Sequence, residues 1–436
     1  KMFSKLVDHF FLVYRKENFD FYTPSIKLYD FHPQLRVLLA LNGQWTNNKN
    51  SLLRFIWPSV CFTANVSAFV IEVMSLVHAV DIHDFQLFTE TFAYSAILGI
   101  VPLFVVCTFW GAEDLLKLME GMNEDFLYVC SLGEPYKKAF LEGQLKIWKS
   151  GVLWMVFNVL FMLMYTGLPT ITLLYYCLFV TQDENSVRPL IFPLWLPKDD
   201  PTRTPNFEIF TFCAYLLLTV FECTFMAYVY IVFHILLHSY VQLDMIIISI
   251  NALFKDSCDS LWNNKITSQN ENYMTIRMEF NRKFRRIVTW HNAVFDNVEI
   301  IENIYAPTMI YQINVSAIVL CLMAYQVAEQ LDHGKVDMLF VMNAVAITMQ
   351  LWIPCYLGTL IRDKGLEVAN EAFTCGWHET SLGTMVRQDI HLIIARAQKP
   401  ITFKVRGIPP LNLETFSSIM SASYTYFNML RNTEGV

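Results

Sequence analysis

The sequence predicts an all-α, polytopic membrane protein with seven transmembrane helices, its N-terminus cytoplasmic and its C-terminus extracellular. Three observations predict it. Of 436 residues, 54% are hydrophobic and only 16% charged, with a mean hydropathy of +0.36, whereas soluble domains are nearer a quarter charged. The apolar residues gather in runs of about 20 or more, the length that crosses a hydrocarbon core. The basic residues gather in alternate gaps between those runs. The same composition excludes other classes. An aromatic content of 15% excludes disorder, ten cysteines in so long a chain exclude a disulfide-rich secreted scaffold, and a net charge of −7 without a basic tract excludes a nucleic-acid binder.

Residues 1–53 read as a cytoplasmic segment. Phe10–Tyr14 is too short and too flanked by charge to be the core of a cleavable signal peptide. Pro33–Leu41, with Leu35, Val37, Leu38, Leu39 and Leu41, reads as a short helix lying in the inner interface. Residues 54–361 hold six spans: Phe55–Val80, Thr91–Ala112, Ser150–Val180, Ile209–Phe233, Asn303–Ala328 and Met338–Ile361. The third is uncharged for so long that it must tilt or project from the bilayer. Residues 362–410 read as a cytoplasmic segment for anchoring and oligomerisation, and 411–436 as the last helix, whose span Thr415–Leu430 is short and rich in hydroxyls.

Charge sets the orientation. Lys and Arg crowd the N-terminal segment, the loop after span two, the linker after span four and the linker after span six, while the other segments hold Arg188, Lys198, Arg203, Lys335 and Arg431. Basic loops stay cytoplasmic. The inner linkers are themselves patterned. Asn272–Ile304 has apolar residues at helical spacing, so span five continues into the cytosol. Glu367–Ala397 reads similarly, with Leu366, Ala369, Phe373, Leu392 and Ile393 as its buried face.

The loop after span three carries Pro189, Pro193, Pro197, Pro201 and Pro205, a spacing that forbids a helix and favours a stiff, extended cover. Two readings stand: a membrane-surface loop with Phe192 and Trp195 in the headgroup zone, or a lid over a ligand entrance. Catalytic patterns are missing; there is no phosphate-binding glycine loop, nucleophile elbow or metalloprotease motif, so the chain reads as no enzyme, with no cofactor and no metal. His234 and His238, four apart where span four leaves the membrane, read as interfacial polar residues before metal ligands. Glu72 and Glu222, expensive inside spans, read as packed against polar neighbours or as part of an ion path. Cys177 and Cys213 both approach the outer face and are open to bridging.

On the last span, Ser417, Ser421, Thr425, Asn428 and Asn432 form one polar stripe at 100° per residue, with Met429 on its edge. Unsatisfied hydroxyls in hydrocarbon are costly, so the stripe faces water or other helices. Small hydroxyl residues also glue membrane helices together. A ring of such helices would line a narrow aqueous pore.

Several short runs resemble insect odorant receptors: Ser423-Tyr424-Thr425-Tyr426-Phe427, Gln398-Lys399-Pro400, and Phe192-Pro193-Leu-Trp195-Leu-Pro197. The resemblance implies a tetrameric ligand-gated cation channel in the plasma membrane of a sensory neuron, pairing an odorant-specific subunit with a shared co-receptor. It puts Thr425 on the pore, Met429 at the gate and Asn432 at the outer filter. The short linker after span four and the ending Asn428-Met429-Leu430-Arg431-Asn432 depart from the co-receptor, so the chain resembles a ligand-specific subunit. Four copies would also gather four Arg431 cations around one axis, which disfavours a homomeric cation pore. Gustatory receptors of the same superfamily share Thr425-Tyr426, but Asn432-Thr433 stands where they have Gln-Phe.

The resemblance further implies a ligand pocket between spans two and six. Candidates for it are Phe88, Phe92 and Ser95 on span two, Phe157, Phe161 and Tyr165 on span three, Thr211 and Tyr215 on span four, and Met342 and Val345 on span six. The same stripes serve equally as bundle core. Such a pocket lacks charge and suits a small neutral volatile. A G-protein-coupled-type seven-helix receptor is the alternative; it requires an external N-terminus, and the Asp-Arg-Tyr and Asn-Pro signatures are missing. A secondary transporter would carry an internal repeat, and none is visible.

Overall fold

A computed structural model describes residues 26–42, 53–179, 190, 192, 194–197, 201–263, 271–334, 338–379, 383, 385–404, 407 and 409–434. These residues form α1 (Leu28–Phe31), α2 (Pro33–Leu41), α3 (Leu53–Asp81), α4 (Phe85–Trp110), α5 (Ala112–Cys130), α6 (Glu134–Phe179), α7 (Asn206–Asn263), α8 (Glu271–Asp332), α9 (Met338–Thr374), α10 (Arg387–Ala397) and α11 (Leu413–Glu434). Six of them, α3, α4, α6, α7, α8 and α9, are long and apolar enough to cross a membrane. The seventh predicted span is helical too, as the 22-residue α11, but its hydroxyls leave it short of that apolar standard.

The local chemistry explains the boundaries. Asp84 caps α4 by accepting a hydrogen bond from the Leu87 N–H at 3.0 Å, so this helix starts six residues before the predicted Thr91. It ends at Trp110 because Gly111 presses against the side chain of Ile304, where any Cβ would collide. The chain then turns into α5, which hydropathy alone left as a loop. Its face of Leu115, Leu118, Met119, Met122, Phe126 and Val129 is buried. The helix α2 spans the predicted Pro33–Leu41; Leu35, Leu38 and Leu39 are buried in the core, and Val37 is exposed.

With 58 and 62 residues, α7 and α8 are about 87 and 93 Å long at 1.5 Å per residue, roughly three times a bilayer core. They build a second, wholly proteinaceous bundle with α1, α2, α5 and α6 at what we call the linker end. The opposite, loop end carries residues 190–197. At its centre α8 packs on α4, α7, α9 and α11. The Tyr311 hydroxyl donates to Ala96 O at 2.7 Å, tying α8 to α4, and Gln312 Nε2 donates to Gln350 O at 2.8 Å, tying α8 to α9.

The linker-end core encloses a polar relay. His32 Nε2 donates to Gln144 Oε1 at 2.9 Å, Gln144 Nε2 donates to His238 Nδ1 at 3.1 Å, and His238 Nε2 donates to Asp125 Oδ2 at 3.3 Å. Asp125 also accepts from Gln242 Nε2 at 2.5 Å, from Trp290 Nε1 at 2.7 Å and from Arg286 at 3.5 Å. One buried carboxylate thus joins α5, α7 and α8, and through Gln144 and His32 it reaches α6 and the connection between α1 and α2. The expectation that His234 and His238 are interfacial is corrected here: both are fully buried, because α7 continues past the span into this bundle. The His234 ring stands edge-on to His32, centroids 4.5 Å apart. Among the described residues, no three His, Cys, Asp or Glu side chains gather to hold a metal.

The segment expected to be one helical face over Glu367–Ala397 breaks at Gly376, which takes φ +76°, and resumes after a short 3-10 turn at Trp377–Glu379 as α10. Ala369 and Ile393 are buried as expected, whereas Phe373 and Leu392 are each 68% exposed. The helix α9 also meets the segment leading into α11. A Cβ on Gly358 would run into the Leu411 carbonyl oxygen, and the Leu413 N–H donates to Thr359 Oγ1 at 3.0 Å. Pro189, Pro193 and the side chain of Cys177 lie outside the described residues, and with them any pairing of Cys177 with Cys213.

Candidate functional site

A cavity of about 140 Å³ lies at the loop end between α3, α4, α6 and α7. Its volume is close to that of an apolar cavity of about 150 Å³ that holds one benzene. From α3 come Asn65, Ala68, Ile71 and Glu72, positions that share one helical face. The helix α4 supplies Tyr94, Ile97 and Leu98; α6 supplies Phe161 and Tyr165; α7 supplies a continuous wall from Phe210 to Glu222; and Asn343 of α9 closes the far side.

The roof is the proline-rich loop, through Leu190, Phe192 and Leu194. Phe192 stands edge-on to Tyr94 with centroids 5.4 Å apart and leans over Tyr165 at 6.1 Å. The loop is fastened to α3, since the Trp195 N–H donates to Ser75 Oγ and the Trp195 indole stacks on His78. Of the two readings of this loop, the geometry matches the lid.

Polar groups in the walls are few. Asn343 Nδ2 donates to the Tyr165 hydroxyl at 3.3 Å, and Asn65 Nδ2 donates to Cys61 O at 2.8 Å. Glu72 and Glu222 are both buried, and among the described residues the Oε2 atom of each has no hydrogen-bond partner. The expectation of a charge-free pocket is therefore corrected: two carboxyls open onto it. Their cost inside spans was the signal available in the sequence.

Of the residues singled out from sequence, Phe161, Tyr165 and Thr211 line this cavity together. The others lie outside its lining. Phe157 stacks between Trp154 and Phe161 along α6. Phe88 and Phe92 meet each other, and Phe85 beside Phe88 meets Tyr325 of α8. Ser95 is buried and donates to Phe92 O at 2.9 Å. The Tyr215 hydroxyl is 2.6 Å from Thr170 Oγ1. Met342 is half-buried and Val345 exposed.

The cavity wall is continuous with α11. Tyr94, Tyr165, Val319, Leu320, Met323, Phe340 and Ile347 form one buried cluster, and Phe161, Phe192 and Met420 of α11 pack against it. On α11 itself, Thr415, Ile419 and Ser423 are buried. The stripe of Ser417, Ser421, Thr425 and Asn432 is exposed on the open side, with Asn428 half-buried and Met429 64% exposed. Thr425 satisfies its hydroxyl within the helix, donating to Ser421 O at 2.9 Å. Arg431 is paired with Asp332 at the end of α8, at 3.0 Å.

Comparison with known proteins follows the same lines. The sequence profile of the 7tm Odorant receptor family matches residues 86–424. The chain is 26% identical over 149 residues to odorant receptor 67c of Drosophila melanogaster, covering 34% of this chain and 35% of that one. It is 37% identical over 71 residues to odorant receptor 10 of Aedes albopictus, covering 16% and 18%. The alignments to these curated relatives thus span about a third of their length or less. The fold is that of the insect olfactory receptor OR5 from Machilis hrabei, with a TM-score of 0.72 at 17% identity over 92% of this chain and 98% of that one. The OR5 complex with eugenol gives 0.73 over 93% and 98%.

Proposed function

The chain belongs to the seven-transmembrane odorant receptor family, and from that premise we propose that it is the odorant-binding subunit of a ligand-gated cation channel in the plasma membrane. The observation that carries the reading is the shared hydrophobic cluster, which puts the aromatic wall of a roofed cavity and Met420 of α11 in one packed unit. A ligand that moves Phe161 or Tyr165 thereby acts on the helix with the exposed polar stripe. Packed clusters pass such displacements on because they are close to incompressible.

The remaining features support the same reading. The basic linkers gather at the end opposite the roof, which favours a cytoplasmic N-terminus, an external C-terminus and a cavity in the outer half. The open stripe on α11 suits a helix that completes a pore with other subunits, with Thr425, Met429 and Asn432 along it. Exposed Phe373 and Leu392 at the linker end suit subunit contacts. OR5, a neighbour in fold, has a complex with eugenol, which supports a small volatile here, met by Phe161, Tyr165 and Thr211. The pairing of Arg431 with Asp332 removes the argument that four free cations block a homomer, so the case for a co-receptor rests on the departures at Asn428–Asn432.

The test is whole-cell recording with a broad panel of volatiles, the chain expressed alone and with the family's co-receptor. Odorant-evoked current is expected from the pair and little from the chain alone. Silence in both settings at normal surface expression refutes the channel, and strong current from the chain alone refutes the need for a partner. An epitope at the C-terminus that cannot be labelled on intact cells refutes the topology.

A further inference from the structure

Glu72 on α3 and Glu222 on α7 are 4% and 6% exposed, line the same cavity, and each keeps an Oε2 atom without a hydrogen-bond partner among the described residues. From this we infer that the cavity selects a ligand carrying a protonated nitrogen: a small amine whose ammonium is received by these two carboxyls. The inference rests on the cavity being the odorant site and names the class of odorant it takes.

Among the described residues, nothing answers the two acids. No described Lys, Arg or His lines the cavity. The two amides in its walls are committed elsewhere, Asn65 to Cys61 O and Asn343 to the Tyr165 hydroxyl. A carboxyl held in apolar surroundings without a partner is among the costliest arrangements a fold can keep, and here it is kept twice at one opening.

The chemistry of the missing partner follows. An ester, ketone or ether offers only lone pairs, so it takes at most one hydrogen bond from a carboxyl that keeps its proton, and it brings no charge. An alcohol brings one neutral donor. An ammonium group brings a charge and several donors, and charge-assisted hydrogen bonds are the stronger kind. The rest of the lining suits such a cation as well, since the faces of Tyr94, Phe161 and Phe192 attract cations through their ring quadrupoles. The volume admits one ring-sized apolar body behind the nitrogen.

The test compares matched pairs of amine and alcohol, benzyl, cyclohexyl and butyl, by thermal stabilisation of the detergent-purified chain and by whole-cell current. At neutral pH at least one amine is expected to bind about tenfold more tightly than its alcohol. Glu222→Gln and Glu72→Gln, which keep the side-chain shape, are expected to abolish that preference. Alcohols that bind as well as or better than their amines across all three pairs overturn the inference, as does a preference that survives both substitutions. If one variant fails to fold, the other variant and the wild-type pairs still decide. Amine binding without any evoked current in cells that also express the family's co-receptor sinks the channel reading and leaves this inference standing; current evoked by alcohols with no amine preference does the reverse.

Discussion

The indole of Trp195 lies almost flat on the imidazole of His78, ring centroids 4.3 Å apart and planes 13° from parallel, while the Trp195 N–H donates to Ser75 Oγ at 3.0 Å. Ser75 and His78 are one helical turn apart on α3, so the roof of the cavity is fastened by two adjacent points of a single helix. A roof held this way is anchored on its α3 side, while Phe192 reaches across to Tyr165 of α6.

Removing the stack should loosen the roof. Trp195→Ala forfeits an aromatic contact worth about 0.5–1.5 kcal/mol, so current decay after odorant washout is expected to quicken by roughly 3- to 10-fold, with surface expression unchanged. Ser75→Ala should act in the same direction and more weakly. Decay that stays at the wild-type rate in both would make residues 190–197 a passive cover.

Truncating the α6 wall should weaken binding itself. Phe161→Ala or Tyr165→Ala is expected to shift the odorant dose response by about tenfold, or about 1.4 kcal/mol. Tyr165→Ala also strands the Asn343 amide that its hydroxyl accepts, so it should be the more damaging. Equal potency of both variants with the parent would assign these rings to packing alone.

The exposed edge of α11 gives a separate prediction. Met429→Ser should raise basal current, because an apolar constriction that dewets is replaced by a wettable one, and odorant potency should hardly move. Asn432→Asp should shift the reversal potential among cations by adding a carboxylate at the mouth. Patch-clamp recordings decide; if only substitutions at Asn428 change both quantities, the helix presents a different edge to the axis.

At the linker end, Asp125 should be needed for folding. Asp125→Ala leaves Trp290, Gln242 and His238 with buried donors and Arg286 with an unpaired charge, a loss of about 3–5 kcal/mol for a broken buried pair. Little protein should reach the cell surface, and the detergent-solubilised remainder should melt earlier. Asp125→Asn, which keeps one acceptor oxygen, should fall between. Normal melting of the alanine variant would show that water replaces the network.

What the sequence made legible follows from what hydropathy measures. Six membrane-length helices, the extension of span five back to Asn272 and the short helix Pro33–Leu41 all rest on apolar period and length, and all are present. Hydropathy does not reveal helix α5, because only one face is apolar and its other positions carry charges, chiefly the acids Glu113, Asp114, Glu120 and Glu124 with Lys117. In the cavity, Phe161 and Tyr165 were visible as a stripe, but a stripe does not say which neighbour it meets. On α4 the chosen edge was Phe88, Phe92 and Ser95, whereas the cavity takes Tyr94, Ile97 and Leu98, about a third of a turn away at 100° per residue. The rotation of a helix buried on several sides is set by its neighbours, here α8 through Tyr325 and Tyr311, and its own period does not encode it. Glu72 and Glu222 were conspicuous in sequence; only their placement on facing helices joins them to one space.

The approach of Gly358 to the Leu411 carbonyl sets the division of labour in this molecule. Two backbones meet there with no side chain between them, so α9 and the segment leading into α11 fit together without slack. The residues that line the cavity and the residue at this joint are different residues, and all of the lining but Asn343 stands outside α9. Substitutions on the cavity walls leave this joint untouched, whereas a single methyl group added at position 358 would run into the Leu411 carbonyl oxygen and force the two segments apart.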